Sequence, residues 1–420
     1  MAARRGGYVA TGQTEVVAVI DGPAVDRLRD ERLDWRFKAV PADAWGATVG
    51  EYLATKPARG DLGTPLLTLD ADALDHNVST MADWCARSGL AHAPHGKTTM
   101  APALWRKQLD AGAWGITLAN AAQVRVGRAF GVRRIMLANA LVDPGALRWL
   151  GAQLDADPGF EFVSWVDSTR TVDLMTEALR GVGRPVDVCV ELGAPGGRTG
   201  CRDDDEAVAV ARAVRQSPAL RLVGAAGYEG ALAHDTSPEG LAAVDTYLKR
   251  LGRFAGAIDA GLVSAGGSAY FDQVGDILGP LVATGATVLL RSGAYITHDD
   301  LFLQGVSPLT RRGGAAFRPA ARGWARVVSR PEPGLALLDG GKRDFPYDEG
   351  LPVPLDLPGA HVSALNDQHS FLRLPAGAAL AVGDVVRLGL SHPCTMFDKW
   401  TLIPVLDAED TVVDLVRTYF

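Results

Sequence analysis

The stretch Gly89-Leu90-Ala91-His92-Ala93-Pro94-His95-Gly96-Lys97-Thr98 decides how the chain is read. It closes a short apolar run and puts a lysine where a parallel strand is expected to end. A helix is expected to begin just beyond, at Thr99-Met100-Ala101-Pro102-Ala103-Leu104-Trp105. In a (β/α)8 barrel the carboxyl ends of the strands carry the active site. A lysine partly withdrawn from water there loses pKa and becomes an amine able to form a Schiff base. The competing reading is a solvated lysine in a βα loop, and this segment alone does not separate the two.

Working outward, short apolar strands alternate with helical patterns, the mark of a parallel α/β sheet. The strands are predicted at residues 90–97, 115–119, 134–140, 161–166, 186–193, 223–230, 263–268 and 287–295. Helical patterns lie between them, at residues 120–129, 144–154, 169–179, 203–215 and 240–260 among others. Eight β/α repeats in about 200 residues fit a closed TIM-type barrel, whose usual size is about 250 residues. Periodicity counts strands and does not distinguish closure from a doubly wound open sheet.

The flanks read differently. Residues 64–70 form a strand ahead of the eight, followed by a helix at residues 73–87 that Asp70 or Asp72 is placed to cap. Before it, residues 25–31 and 42–53 are helical around Asp34-Trp35-Arg36-Phe37-Lys38. Beyond residue 310 the pattern turns to strand-like runs between Pro and Gly, at residues 325–329, 334–339 and 384–390. These are expected to build an all-β second domain, in which the strand at residues 64–70 finds a partner. The division is therefore a barrel over residues 71–310 and a β-rich domain from residues 1–70 and 311–420.

Composition narrows the function. At 420 residues the chain is long enough for two domains, and 47% hydrophobic with 22% charged residues is a soluble, globular balance. A net charge of −7 without a basic stripe argues against nucleic-acid or anionic-membrane partners and for a small molecule. No apolar run approaches the roughly 20 residues that span a bilayer. Met1-Ala2-Ala3-Arg4-Arg5-Gly6-Gly7 lacks an apolar run behind its basic residues, so no signal peptide is expected. Cys85, Cys189, Cys201 and Cys394 are few and widely spaced, which fits a reducing cytoplasm.

Candidate chemistry collects at strand ends. Ser264-Ala265-Gly266-Gly267-Ser268 follows the seventh barrel strand and Arg291-Ser292-Gly293-Ala294-Tyr295 the eighth. Barrels commonly hold a phosphate on these two loops, because glycine lets backbone N–H groups approach an anion. The fifth strand leads into Gly196-Gly197-Arg198-Thr199-Gly200, which puts Arg198 at the same rim unless it is an ordinary surface arginine. In Ser391-His392-Pro393-Cys394, an extended backbone points His392 and Cys394 to one face, where imidazole and thiolate together favour zinc. Two ligands leave positions for water or substrate, as catalytic zinc does; the alternative is a buried cysteine beside a hydrogen-bonded histidine. Asp367-Gln368-His369 is a further polar cluster, more often a turn than a ligand set.

In order along the chain, His95-Gly96-Lys97, Gly196-Gly197-Arg198-Thr199-Gly200, Gly227-Tyr228-Glu229-Gly230, the Gly266-Gly267 pair, Arg291-Ser292-Gly293-Ala294-Tyr295, Asp367-Gln368-His369 and His392-Pro393-Cys394 resemble the fold-type III pyridoxal-phosphate enzymes. The group most similar holds D-serine dehydratase, D-threonine aldolase and the bacterial D-serine deaminase-like or amino acid deaminase proteins, and the Trp35-Arg36-Phe37-Lys38 segment resembles the last of these. The resemblance implies an alanine racemase-like barrel with Lys97 as the cofactor's Schiff-base lysine and His95 beside it. It implies phosphate contacts from Gly266, Gly267, Ser268, Gly293 and Ala294, with Tyr295 nearby. It places Arg198 near the phenolic oxygen, Arg291 near the pyridine nitrogen and Tyr228 against the ring. His392 and Cys394 would hold Zn2+ or another divalent ion; in this group His-x-Cys marks the dehydratases and His-x-Asp the aldolases.

The activity so implied is β-elimination of a D-β-hydroxy amino acid, such as D-serine or D-threonine, to a 2-oxo acid and ammonia. Lys97 is expected to take the Cα proton and the metal to bind the β-hydroxyl. The alternatives are retro-aldol cleavage to glycine and an aldehyde and, more remotely, an amino acid racemase or a non-catalytic pyridoxal-phosphate carrier. A homodimer is expected from the same resemblance.

Overall fold

The structure is a computed structural model that describes residues 19–420; the segment read for a leader, residues 1–7, lies outside the described residues. Contacts divide the described chain into two compact units. The first holds residues 19–21, Ala82–Lys97 and Gln108–Gly293; the second holds Gly22–Met81, Thr98–Lys107 and Ala294–Phe420. The earliest strand, β1 (Leu66–Asp70), belongs to the second unit.

The first unit is built on eight parallel strands. They are β2 (Ala91–His92), β3 (Ile116–Leu118), β4 (Arg134–Ala140), β5 (Glu161–Val166), β6 (Val186–Leu192), β7 (Leu220–Gly227), β8 (Leu262–Ala265) and β9 (Thr287–Leu290). The ladder runs β2-β9-β8-β7-β6-β5-β4-β3. Its ends meet, because Trp114 donates its N–H to the His92 carbonyl at 2.6 Å and Thr117 donates to Pro94 at 2.9 Å. A parallel bridge between His95 and Thr117 continues the contact, so the sheet closes as a TIM-type barrel.

Local signals set the elements between the strands. Asn120, Asp143, Ser168, Asp203 and Ser237 each accept an N–H from the first turn of the following helix, at 3.0, 2.6, 3.1, 2.7 and 3.1 Å. Caps of this kind stabilise by about 1 kcal/mol each, and Pro144 and Pro238 supply the fixed φ that a first helical residue needs. Ala93, Met136, Val163, Trp165, Cys189, Ala226, Leu262 and Leu289 form one buried cluster drawn from many strands, small and large residues together.

Several predicted strands run too far. β2 ends at His92, and Lys97 lies in a 3-10 turn, Gly96–Thr98, rather than on a strand. The following helix starts only at Pro102, the proline fitting its first turn. β8 stops at Ala265, where Gly266 takes a φ of +101° that no ladder accepts, and β9 stops before Arg291.

The second unit carries a nine-stranded, mainly antiparallel sheet. β1 pairs antiparallel with β10 (Ala321–Glu332) and parallel with β16 (Leu402–Leu406), which answers the expectation for the strand ahead of the barrel. The remaining members are β11 (Leu335–Leu338), β12 (Val353–Pro354), β13 (His361–Leu365), β14 (Ser370–Arg373), β15 (Val385–Gly389) and β17 (Val412–Arg417). Leu33, Phe37, Val49 and Tyr52 from the early segment share a core with Leu66, Leu402 and Leu415. Among the described residues, no helix is long and apolar enough to cross a membrane.

Candidate active site

In the first unit, the candidate residues converge on His95. The charges of Lys97, Arg291 and Arg198 all act on its imidazole, after burial the leading reasons that its pKa lies well below the ordinary value. His95 is therefore a neutral hydrogen-bonding group, and its Nδ1 is buried without a partner. Gly293 is needed beside it: a side-chain carbon there would stand 2.4 Å from the His95 carbonyl oxygen.

Arg291 is fully buried and spends its donors on the chain, Nη1 to Ser264 Oγ and Nη2 to the Gly227 carbonyl, both at 2.6 Å. Its guanidinium lies 4.7 Å from the centre of the Trp165 ring, so a cation is fixed on the wall of the barrel core. Burial lowers its pKa, opposed by the carboxylates of Glu229 and Glu191. Arg198 is exposed and stacks 5.1 Å from the Tyr228 ring centre. Nearby Glu191 is buried, its pKa raised by desolvation and moderated by a 2.7 Å bond from Thr199 Oγ1.

The glycine loop differs from the expectation in one respect. The N–H groups of Gly266 and Gly267 both donate to the carboxylate of Glu229, at 2.9 and 2.6 Å. Glu229 is wholly buried and shapes the loop as an anion would; the sequence reading did not single it out, although it sits inside the quoted Gly227-Tyr228-Glu229-Gly230. Ser268 follows in the same loop, half-buried.

Ala294 and Tyr295 belong to the second unit, in a 3-10 turn where the Tyr295 ring lies 5.7 Å from that of Phe317. The same unit holds His392 and Cys394. The extended backbone expected there is absent: His392 is left-handed, with φ +50° and ψ 79°, and Pro393–Thr395 is a 3-10 turn. The turn, rather than strand alternation, brings imidazole and thiol together, close enough for Cys394 to be the leading influence on the imidazole's pKa.

A left-handed histidine costs about 1–2 kcal/mol. Bonds to charged acceptors, worth about 1.5–3 kcal/mol each, offset it. The His392 N–H donates to Asp299 Oδ2 at 3.1 Å and Nδ1 meets Asp348 Oδ2 at 2.6 Å. Asp348 is held in turn by Thr395 Oγ1 at 2.7 Å, and Cys394 Sγ lies 3.4 Å from Oγ1 of Thr98, the residue after Lys97. The His392 pKa is raised to about 9, first by its interaction with the Cys394 sulfur and then by the Asp348 carboxylate, against partial burial. Among the described residues no group of three His, Cys, Asp or Glu is arranged to hold an ion. None of the four cysteines is in a disulfide, and burial pushes the thiols of Cys85 and Cys201 up to about 12.

Asp367-Gln368-His369 forms the hairpin turn between β13 and β14, closed by Asn366 N–H to the His369 carbonyl at 2.9 Å. Gln368 donates to Asp344 at 3.1 Å, and Lys38 donates to the same carboxylate at 3.0 Å. Both motifs thus brace one buried aspartate within the second unit.

Residues 69–284 match the family model for the N-terminal domain of alanine racemase, and residues 320–406 match that of a putative serine dehydratase domain. A D-threonine aldolase from Arthrobacter sp is 30% identical over 338 residues, 78% of this chain and 85% of the relative. A D-threo-3-hydroxyaspartate dehydratase from Delftia sp. (strain HT23) is 25% identical over 383 residues, 84% of this chain and 96% of the relative. Solved forms of the D-threo-3-hydroxyaspartate dehydratase include a histidine-to-alanine variant and, two residues further along, a metal-free cysteine-to-alanine variant. The latter superposes with a TM-score of 0.73 at 21% identity, covering 87% of this chain and 99% of that one. The crystal structure of D-threonine aldolase from Filomicrobium marinum gives 0.76 at 27% identity, covering 86% and 96%.

The barrel, its strand-end lysine and these matches define a pyridoxal-phosphate enzyme of the alanine racemase fold. Within that class the chain belongs to the D-serine dehydratase and D-threonine aldolase group, and is a pyridoxal-phosphate-dependent lyase. The residues present fit the cofactor: a lysine and two arginines offer positive charge to a phosphorylated aldehyde, and His95 Nδ1 is a buried group awaiting a partner. A divalent metal fits the imidazole–thiol pair, whose remaining positions water or substrate would fill.

Proposed function

We propose that the enzyme carries out metal-dependent β-elimination on a D-β-hydroxy amino acid, releasing water, ammonia and a 2-oxo acid. The observation that carries this reading is the thiol of Cys394 as the second donor of the pair, brought beside the His392 imidazole by the turn Pro393–Thr395. Support comes from the related dehydratase, studied through a histidine and a cysteine at the same separation, the cysteine variant having been solved in a metal-free form.

The bound cofactor supplies the electron sink that makes Cα acidic. Lys97, half-buried in the 3-10 turn beyond β2, is the residue whose amine would hold the aldehyde and then take the Cα proton. Arg291 acts as a fixed charge, since both terminal nitrogens are already bonded to Ser264 and Gly227. His95, neutral and short of one partner, offers a hydrogen bond without competing charge. His392 and Cys394 would hold zinc or another divalent ion, whose Lewis acidity serves departure of a β-hydroxyl.

Retro-aldol cleavage is a second reading, favoured by the 30% identity with D-threonine aldolase. D-threonine separates the two: elimination gives 2-oxobutanoate and ammonia, cleavage gives glycine and acetaldehyde. Turnover to glycine as the main product, or full elimination in the presence of chelator, would overturn the proposal.

A further inference from the structure

We infer that Asp348 is the positioning residue that selects the ligating nitrogen of His392, and so sets the metal affinity of the site. The inference rests on reading His392 and Cys394 as a metal pair. It starts from two observations that the pair itself does not explain: a histidine held in a left-handed backbone, and a carboxylate aimed at its ring.

An imidazole binds a metal through one nitrogen, and the hydrogen bond made by the other decides which. Here Asp348 Oδ2 stands 2.6 Å from Nδ1, so the proton on Nδ1 is held by the carboxylate and Nε2 is the nitrogen left to take a metal, giving up its own proton as the ion binds. The carboxylate is itself oriented, because Thr395 Oγ1 donates to its other oxygen at 2.7 Å. The segment bearing it is tied to the loop on both sides of His392: Ser391 Oγ donates to the Glu349 carbonyl at 2.9 Å, and Thr395 follows the pair. Asp299 fixes the backbone by taking the His392 N–H, which leaves the ring free to turn about its own bonds. Asp348 removes that freedom. Without it, Nδ1 keeps only the longer 3.4 Å contact with Thr395 Oγ1, and no charge-assisted bond fixes which nitrogen faces the metal.

The test uses the cofactor-loaded enzyme, stripped of metal and titrated with zinc against a chromophoric chelator. Loss of an outer partner of a metal histidine weakens binding by roughly 10–100-fold. Asp348→Ala is expected near the upper end of that range. Asp348→Asn, whose amide oxygen still accepts from Nδ1–H, is expected near the lower end, and it serves alone if the alanine variant does not fold. Loaded with cobalt, both variants keep the thiolate-to-cobalt absorption that Cys394→Ala loses. Zinc affinity in either Asp348 variant equal to the parent's, while Cys394→Ala loses the metal, would overturn the inference and leave the metal pair standing. Zinc bound as tightly by Cys394→Ala and His392→Ala as by the parent would instead remove the pair.

Discussion

Arg291 and His392 each stand at the centre of a cluster, one in each unit, and they are held by different means. Arg291 sits just past the end of β9, its donors taken by Ser264 at the end of β8 and Gly227 at the end of β7. Its position follows from adjacent parallel strands, and its own backbone joins them by accepting from His95 and donating to Gly266. His392 stands in a turn with unfavourable φ, restrained by Asp299, 93 residues away, and Asp348, 44 residues away. Barrel geometry supplies the first cluster as a consequence of the fold; the second is assembled by individual charge-assisted bonds. The first should tolerate changes around it and fail only at its reacting groups, whereas the second should weaken in steps as single restraints are removed.

The largest effect expected from this contrast is at Lys97. Lys97→Ala removes both the covalent anchor and the base, and should lower kcat by about 10²–10⁴-fold or more, with loss of the visible absorbance of the bound aldehyde. A variant that kept both would break the assignment of the first cluster. His392→Ala comes next. Lewis acidity of several kcal/mol corresponds to roughly 10²-fold or more in rate, and the visible absorbance should remain. Loss of absorbance in this variant would show that the two clusters do not act as separate devices.

The same contrast explains what the sequence made legible. Period-two and period-3.6 patterns are local, so eight strands, their helices and the Asp70 cap of the first long helix are readable, and the strand at residues 64–70 finds a partner outside the barrel by having no slot in it. Lys97, Gly266 and Gly293 announce themselves by type at strand ends. Asp299, Asp348 and Thr98 do not: each is an ordinary polar residue whose role exists only through a contact between distant segments. Glu229 was hidden differently, inside a quoted motif, because a glutamate next to glycines carries no sign that its carboxylate folds back onto a loop 37 residues on. The expected extended backbone at His392 failed because Pro393 and the Asp299 restraint favour a turn, which strand propensity does not weigh.

Acid should affect both units alike, which tests whether they differ in stability as they do in site construction. Burial holds His92 at about 4 and His298 at about 4, against an ordinary value of 6.5. The unfolded chain takes up these protons from pH 6.5 downward and the folded chain only near pH 4, so stability is present above 6.5 and lost as pH falls to 4. At roughly 1.4 kcal/mol per pH unit the loss is about 3 kcal/mol for each histidine. His92→Asn and His298→Asn should each flatten the slope of stability against pH in that window. An unchanged slope in one variant would mean that its histidine is hydrated and that its unit is the looser one.

Lys38 provides the smallest and most discriminating case. Its ammonium donates to Asp344 at 3.0 Å and to the Arg343 carbonyl at 2.9 Å, and lies 4.5 Å from the Trp400 ring centre. The partner carboxylate is 2% exposed but the lysine is 39% exposed, so solvent screens most of the attraction. Asp344 also accepts from Gly341 at 3.1 Å and from Gln368, and is not stranded by loss of the lysine. Lys38→Met, which keeps the apolar stem against Trp400, should therefore cost about 1 kcal/mol or less. The denaturant midpoint should fall slightly at constant m-value, with kcat/KM and zinc affinity unchanged. A fall in zinc affinity would mean that the restraints on His392 extend to Asp344, and that the second unit's cluster is one connected network instead of a set of separate bonds.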